Sequence, residues 1–265
     1  MRRSLLLPAF LCLTGCDVLV RQQIVQAQLR VPHAPSPILP MDTAQRISLD
    51  GGLSGTVSQL PLGGIIDDSS GSRVGTGSPP VDGSLRFCFH YKELLVGEEI
   101  GDGRATAFAG VNVQSGPLQF LGWGGLSLIS WHQDVLYKQG WSTDTTNAVA
   151  YWNTSRDSGT ETSGAISLGV AVQSGQGIVR PFAAARLDLG PTIDGTNWLS
   201  DSPAAENSIN LSQLQLDGGL RVDCAPWAHA YAGAGSRVFL SSFIRGNDWR
   251  VFGGVAVDLW RTEPR

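Results

Sequence analysis

The side chains of this chain that could do chemistry are few and widely spaced. Its four histidines are His33, His90, His132 and His229, and no two of them have the close spacing of a metal-ligand pair. Cys88 lies two residues before His90, but this pair lacks the further ligands that a metal site needs. The chain contains no GxSxG nucleophile motif and no phosphate-binding loop. We therefore predict no metal, no other cofactor and no enzymatic activity.

A larger set of charged and polar residues shares a different feature: each lies on the polar side of a segment that alternates between polar and apolar residues. The set comprises Arg46, Asp50, Arg86, His90, Lys92, Arg104, Arg180, Arg186, Asp188, Asp217, Arg221, Asp223, Arg237, Arg250 and Asp258. Arginine and aspartate can form bidentate ion pairs. If these polar sides meet in an interior, we expect a hydrogen-bonded network there.

The alternation itself has a period of two and runs from about residue 22 to residue 260. In one segment Leu214, Leu216 and Leu220 share a face, and Gln215 and Arg221 share the other. The pattern predicts about ten strands, near the ~9 to 11 residues that cross a bilayer. They are residues 22–31, 46–57, 85–92, 104–114, 118–131, 163–174, 178–189, 209–224, 228–240 and 249–260.

The predicted connections alternate between short and long. Tight turns lie at residues 115–117, 175–177 and 225–227, and polar loops lie at 97–103, 132–163, 190–208 and 243–248. This rhythm predicts an antiparallel up-and-down β-barrel of eight to ten strands. Residues 59–83 break it, since they are long where a short turn is expected; either they are a flexible insertion or the barrel has eight strands. The proline-rich residues 33–40 are expected to form an extended loop.

Composition narrows the class of protein. The chain has 265 residues, 33 of them Gly, with 16% charged residues, a net charge of −4 and a pI near 5.5. These values exclude a disordered chain and a basic nucleic-acid-binding protein. Only two of its 19 basic residues are Lys, whereas the solvated face of a soluble β-sandwich is typically rich in Lys and Glu. The all-β pattern resembles the small outer-membrane β-barrels of bacteria, although Trp260 is followed by five further residues where such barrels commonly end on an aromatic residue.

The first residues are typical of an export signal, with Arg2 and Arg3 before a short apolar run. Residues 13–16, Leu-Thr-Gly-Cys, resemble the lipobox of bacterial lipoproteins. The resemblance implies a signal peptide over residues 1–15, lipidation (palmitate among the acyl chains) at Cys16, and a mature chain of residues 16–265, which we expect to be one barrel domain. Asp17 follows the cysteine, and in enteric lipoproteins an aspartate there favours retention in the inner membrane.

Together these features predict an outer-membrane lipoprotein with a structural or narrow-pore role. Its expected partners are membrane lipid and a small solute or ligand, with no nucleic acid. A soluble, lipid-tethered barrel or sandwich that binds a small ligand at the periplasmic face or cell surface is the alternative. Some outer-membrane barrels are enzymes with Asp/His sites at the rim, so His132, Asp134 and Asp144 form a weaker catalytic alternative. Cys88 and Cys224 have opposite side-chain parity, which favours two free, buried thiols over a disulfide.

Overall fold

A computed structural model describes residues 18–59, 62–67, 72–77, 81–143, 149–190, 192–194, 208–240 and 247–262. All regular structure there is β, and none of it is a helix that could cross a membrane. Cys16 and Asp144 lie outside the described residues. The strands are β1 (Val18–Arg30), β2 (Arg46–Gln59), β3 (Leu62–Asp67), β4 (Ser72–Gly77), β5 (Val81–Tyr91), β6 (Leu94–Gly101), β7 (Arg104–Ser115), β8 (Leu118–Ser142), β9 (Tyr151–Ser174), β10 (Val179–Leu189), β11 (Thr192–Asp194), β12 (Ser208–Asn210), β13 (Gln213–Ala225), β14 (Ala228–Phe239) and β15 (Asn247–Arg261).

Ten of these strands close into an antiparallel barrel. The order around the wall is β8-β7-β6-β5-β2-β15-β14-β13-β10-β9, and pairing of β9 with β8 completes the ring. The predicted fold class is therefore confirmed. Closure leaves no unpaired strand edge around the wall, so every barrel strand has a hydrogen-bonded neighbour on both sides.

One of the ten predicted barrel strands is wrong, and one was missed. Residues 22–31 belong to β1, which pairs with β4 and with residues 132–142 of β8 instead of joining the ring. The tenth barrel strand is β6, in a segment that was interpreted partly as a loop. Its pattern is interrupted by Gly97 and by the adjacent Glu98 and Glu99, of which Glu98 points outward and Glu99 is buried inside.

Exchanging these two strands also explains the long connection after β2. Turns at residues 92–93, 116–117, 175–178 and 226–227 lie at one end of the barrel, here named the tight-turn end, where β2 begins and β15 ends. The other connections, including the one between β2 and β5, lie at the opposite end, here named the hairpin end. The connection near residues 59–83 is thus on the side of the long loops. The alternation fails between β6 and β7, which are joined at that end by a turn of two residues, 102–103, where a polar loop at 97–103 was predicted.

At the hairpin end, β8 and β9 continue beyond the barrel rim. Residues 118–129 of β8 pair with β7, residues 132–142 pair with β1, and β9 accompanies β8 over both stretches. We call residues 130–142, residues 151–163 and β1 the extension. The loop predicted at 132–163 is therefore largely paired strand. Residues 151–163 are mostly polar and exposed, so they show no alternation of the kind that predicts a strand.

Inside the barrel, large aromatic side chains lie against glycines of neighbouring strands. A Cβ on Gly169 would lie 2.1 Å from the Trp123 indole, and a Cβ on Gly254 would lie 2.2 Å from the Tyr231 hydroxyl. Any larger residue at either position would displace the ring. These glycines therefore create the space in which aromatic side chains line the lumen.

Candidate functional site

The structure places the predicted network residues on the inward side of the wall. Those that are buried are Arg46, Asp50, Arg86, His90, Arg104, Arg186, Asp188, Asp217, Arg221, Arg237 and Arg250. Arg180 and Asp223 face the same side near the tight-turn end, where they are partly exposed, and the side chain of Asp258 is buried beside them. Lys92 is the exception: it lies in the turn after β5, exposed, with its Nζ 5.7 Å from the Tyr91 ring centroid. Its predicted position in the lumen is wrong because β5 ends at Tyr91.

Near the hairpin end, two ion pairs lie in the lumen. Arg237 Nη2 is 2.7 Å from Asp248 Oδ2, and Arg250 Nη2 is 3.1 Å from Asp217 Oδ1. All four side chains are at least 97% buried. The Arg250 guanidinium also lies 5.1 Å from the ring centroid of Phe252. Buried charges of this kind are tolerated only when they are paired and hydrogen-bonded.

At mid-height, carboxylates are shared between arginines. Arg86 lies 2.7 Å from Asp50 and 3.1 Å from Glu99, and Glu99 also accepts from Arg186. The Tyr231 hydroxyl donates to Asp50 at 2.7 Å. Glu99 lies on β6, the strand that the sequence pattern did not predict. The one feature of the sequence that could have placed Glu99 inside is that it lies four residues after Leu95, and so on the same face of the strand.

A second shared carboxylate, Asp188, completes this middle layer. It lies 2.8 Å from Arg104 and 3.1 Å from Arg186, and it accepts from the amide of Gln213 at 2.9 Å and from the hydroxyl of Ser167 at 2.5 Å. The layer is therefore a continuous network of hydrogen bonds and ion pairs across β6, β7, β9, β10 and β13. It joins the inward-facing side chains of these strands to one another.

The tight-turn end holds an open cavity of about 380 Å³. Three arginines on its wall have carboxylate partners: Arg180 and Arg221 share Asp223 at 2.8 and 2.9 Å, and Arg46 lies 3.1 Å from Asp258. Arg261 and Asp42 also line the cavity, so four arginines there share three carboxylates, and the wall keeps an excess of one positive charge. The cavity is a polar vestibule, which ends where the chain itself fills the lumen.

Residues 31–41, which we call the lumen segment, run through the barrel from the hairpin end to the tight-turn end. Every residue from 31 to 41 is buried. The segment follows β1 outside the barrel and leads to β2, which begins at the tight-turn end. The expected extended loop is thus extended, but it lies inside the lumen. Four of its eleven residues are proline, so it has few N–H groups to satisfy and could not pair as a regular strand.

Wall arginines near the hairpin end donate hydrogen bonds to the carbonyls of this segment. Arg237 donates to the carbonyls of Val31 and Pro32 at 2.9 and 3.0 Å. Arg250 donates to the carbonyl of Ala34 and, at 3.3 Å, to that of the proline that follows. In the other direction, only two N–H groups of the segment have a wall acceptor in the described contacts: His33 N donates to Asp82 and Ala34 N to Gln215.

The same mode of binding continues to the tight-turn end. The further donor and acceptor pairs are Arg86 to the carbonyls of Ser36 and Pro37, Arg221 and Gln173 to that of Pro40, and Asn112 to that of Met41. Arg86 is 3.4 Å from the Pro37 carbonyl oxygen. The Pro40 carbonyl oxygen is 2.9 Å from Arg221 and 2.5 Å from the amide nitrogen of Gln173. The wall therefore recognises the backbone of the segment far more than its polar side chains.

Two apolar side chains hold the middle of the segment. Ile38 packs in a cluster with Leu95, Phe108, Leu121 and Trp123. Its neighbour Leu39 packs in a second cluster, formed by Phe182, Tyr231 and Phe252. Successive side chains thus contact different parts of the wall, on β6 to β8 and on β10, β14 and β15.

The remaining candidate residues do not form a site together. His132 is exposed on the extension, and Asp134 is paired there with Arg156. No group of three or more potential metal ligands occurs in the part of the chain that the structure describes. Cys88 and Cys224 are free thiols; Cys88 is buried, but Cys224 is exposed, contrary to the expectation for it.

No protein-family model and no curated protein matches the sequence. Among solved structures, the chain is similar to the NanC porin, at 8% identity and a TM-score of 0.35, over 80% of this chain and all of the other. It is also similar to a bacterial polysaccharide outer membrane secretin, at 12% identity and a TM-score of 0.26, over 81% of this chain and 99% of the other. The barrel is shown by the strand pairings of this chain itself.

Proposed function

We propose that this chain is an integral β-barrel of the bacterial outer membrane whose lumen is closed by its own residues 31–41. The observation that carries the proposal is the inverted distribution of side chains. Large apolar residues are exposed on the outer face of every barrel strand, and Leu53, Leu85, Val96, Leu126 and Val170 are all more than half exposed. The ion pairs lie inside. Soluble monomers rarely expose a contiguous apolar patch above a few hundred Å².

The outer face carries one charged side chain between its turns, among the described barrel strands. Glu98 lies on β6 between the outward-facing Val96 and Ile100. It is three residues from the hairpin end of β6, a depth of roughly 8 Å for a tilted strand. The cost of a charge on the lipid face falls from ~2 to 4 kcal/mol for Arg or Lys at the bilayer midplane to ~0 to 1 kcal/mol near the interfaces, and it is smaller for Glu. A single Glu98 at this depth is therefore compatible with a lipid-facing position.

The lumen segment favours a closed, structural barrel over an open pore. It occupies the full height of the lumen, and its carbonyls are bound by the wall at both ends and in the middle. A solute could pass only if these residues moved.

The path of the chain also indicates at which end of the barrel the predicted lipid anchor lies. β1 begins at Val18, which pairs with Ser142 on the extension, whereas β15 ends at the tight-turn end. Two residues span at most about 7 Å, so a lipid on Cys16 would lie near the tip of the extension, beyond the hairpin end and far from residue 261. If short turns face the periplasm, as in outer-membrane barrels, the proposed anchor is on the outside of the cell. Protease digestion of intact cells should then remove an epitope placed after Asp17 and spare one placed after residue 262.

The membrane proposal is tested with the Cys16→Ala protein, which cannot be lipidated. We expect it to remain in the membrane after sodium carbonate extraction, to migrate differently on gels before and after heating, and to give no steady conductance in planar bilayers. If it is fully soluble without detergent, the membrane barrel is wrong, and the soluble ligand-binding barrel replaces it.

A further inference from the structure

The ion pairs of the lumen are balanced in charge at two of its three levels. Near the hairpin end, two arginines face two carboxylates, and in the middle layer three arginines face three carboxylates. In the vestibule at the tight-turn end, four arginines face three carboxylates. Within the part of the chain that the structure describes, the vestibule is therefore the level of the lumen whose ion-paired side chains carry an excess positive charge.

The excess lies at Asp223, whose two oxygens are held by two different arginines. Arg180 Nη2 is 2.8 Å from Asp223 Oδ2, and Arg221 Nε is 2.9 Å from Asp223 Oδ1. The remaining two arginines and two carboxylates of the vestibule pair with one another and balance in charge. Two guanidinium groups thus share a single carboxylate, and one positive charge beside Asp223 is not neutralised.

Two side chains of the vestibule have N–H groups that the protein does not use. Arg221 donates through Nε to Asp223 and through Nη1 to the Pro40 carbonyl, and its Nη2 donates to no group in the described contacts. The ring of His229 also lines the cavity, and it makes no hydrogen bond to a described residue. Guanidinium N–H groups bind the oxygens of a carboxylate or a phosphate in a bidentate geometry. The vestibule therefore offers an oxyanion both positive charge and directed donors.

The vestibule also has the size and the access of a small-molecule site. Its volume of about 380 Å³ lies within the ~300 to 1,000 Å³ range of ligand pockets. Its arginines lie on the inward side of the wall, so a ligand would enter from the water at the tight-turn end and not through the wall. The lumen segment closes the other side, where Arg221 and Asn112 bind the carbonyls of Pro40 and Met41. A bound solute therefore enters and leaves at the same end.

We infer that the vestibule binds a small, soluble organic anion through a carboxylate or phosphate group, and that Arg180 and Arg221 hold this group. A cavity lined by charge of one sign, with walls of low dielectric constant, concentrates ions of the opposite sign. The inference goes beyond the proposed closure of the lumen, since it requires neither an open lumen nor insertion into a membrane.

The first test titrates the full-length protein, in detergent at low salt, with three compounds that share a polar three-carbon body: glycerate, glycerol 3-phosphate and glycerol. We expect at least one of the two anions to bind at least about tenfold more tightly than glycerol in isothermal titration calorimetry, and the tighter anion identifies the group that the site prefers. Equal affinity for the anions and glycerol would overturn the inference. So would the absence of anion binding at about 10 mM by a protein that keeps its gel shift on heating.

Charge variants test whether the binding takes place in the vestibule. Arg180→Gln removes the excess charge but leaves Asp223 paired with Arg221, so it should weaken binding of the anion about tenfold or more. Arg180→Lys keeps the charge without the planar fork of donors and should have an intermediate affinity. The control is Arg156→Gln, which removes one positive charge from the exposed extension and should bind the anion as the wild-type protein does.

Two results with these variants would overturn the inference. Wild-type affinity of Arg180→Gln would show that the anion binds elsewhere, and an equal loss in Arg156→Gln would show that the net charge of the protein decides the affinity. The gel shift on heating shows that each variant is folded. A soluble barrel could pass both tests, so their failure is distinct from failure of the membrane proposal.

Discussion

The β8–β9 hairpin passes through two regions, and its two halves differ in their side chains although they pair in the same way. In the barrel half, Leu126 and Leu168 point outward and are exposed, while Ser127 and Ser167 point inward and hydrogen-bond to each other at 2.6 Å. In the extension, residues 151–163 of β9 are mostly polar and exposed. Pairing alone therefore does not reveal the surroundings of a strand; its outward side chains do.

The same contrast holds for ion pairs. Arg250 and Asp217 lie in the lumen with side chains at most 3% exposed, whereas the Arg156 side chain in the extension is 71% exposed beside Asp134. The chemistry of the two pairs is identical. A pair inside the lumen must be kept whole because neither charge can return to water, while a pair in the extension can be broken at little cost.

The largest effect is expected from breaking the lumen pair. Asp217→Ala leaves Arg250 buried without its carboxylate and should lower the free energy of unfolding by about 3 to 5 kcal/mol. Urea unfolding in detergent, followed by tryptophan fluorescence, measures it. The matched control is Asp217→Leu/Arg250→Met, which removes both charges and should be closer to the wild type. A single variant as stable as the wild-type protein would show that the pair is not needed.

The next largest effect concerns the outer face of β9. Val170 and Thr160 have the same parity on the same strand, one in the barrel half and one in the extension. Val170→Arg should cost ~2 to 4 kcal/mol in lipid vesicles if it lies near the bilayer centre, whereas Thr160→Arg should change stability by less than about 0.5 kcal/mol. Equal stabilities of the two arginine variants in vesicles would contradict a lipid-facing barrel half.

The difference between the two regions also decides what could be predicted from the sequence. In the barrel, lipid-compatible and inward faces alternate, so period two predicted nine of the ten barrel strands and the faces of eight. The face of β8 stayed undecided, because residues 118–131 are apolar on both sides. The exception is β6, because Glu98 and Glu99 place a charge on each face. β1 alternates like a barrel strand, yet it pairs with the extension, and nothing in residues 22–31 distinguishes the two cases.

The position of the lumen segment could not be predicted from the sequence, for a different reason. Its contacts with wall arginines are made by backbone carbonyls, which every sequence has, so the residues 31–41 could not indicate where they bind. Their prolines predicted an extended conformation and nothing about its location. The charged residues of the wall could be assigned to one face by parity, but Asp82 and Asp248 lie just before predicted strands and were missed.

A smaller effect is expected at Glu98, where the two environments meet. Glu98→Leu extends the apolar outer face of β6 and should raise stability in lipid vesicles by ~0 to 1 kcal/mol. Glu98→Gln removes the charge but not the polarity, so its stability should lie between those of the wild-type protein and Glu98→Leu. A loss of stability above about 1 kcal/mol on Glu98→Leu would mean that the carboxylate has a partner in the membrane, which a lipid-facing side chain would not have.

The smallest effect is expected in the extension. The hydrogen bonds from Arg156 lower the pKa of Asp134, so the pair is intact at neutral pH and is lost as the pH falls through that lowered value. Arg156→Gln should raise the pKa of Asp134 toward its usual range, as followed by NMR titration of the carboxyl carbon. The midpoint of urea unfolding should not change, because both groups remain in water after the pair is broken. If the midpoint fell as far as in Asp217→Ala, exposure would not be what separates the two regions, and the contrast between lumen and extension would have to lie in the pairing of the strands.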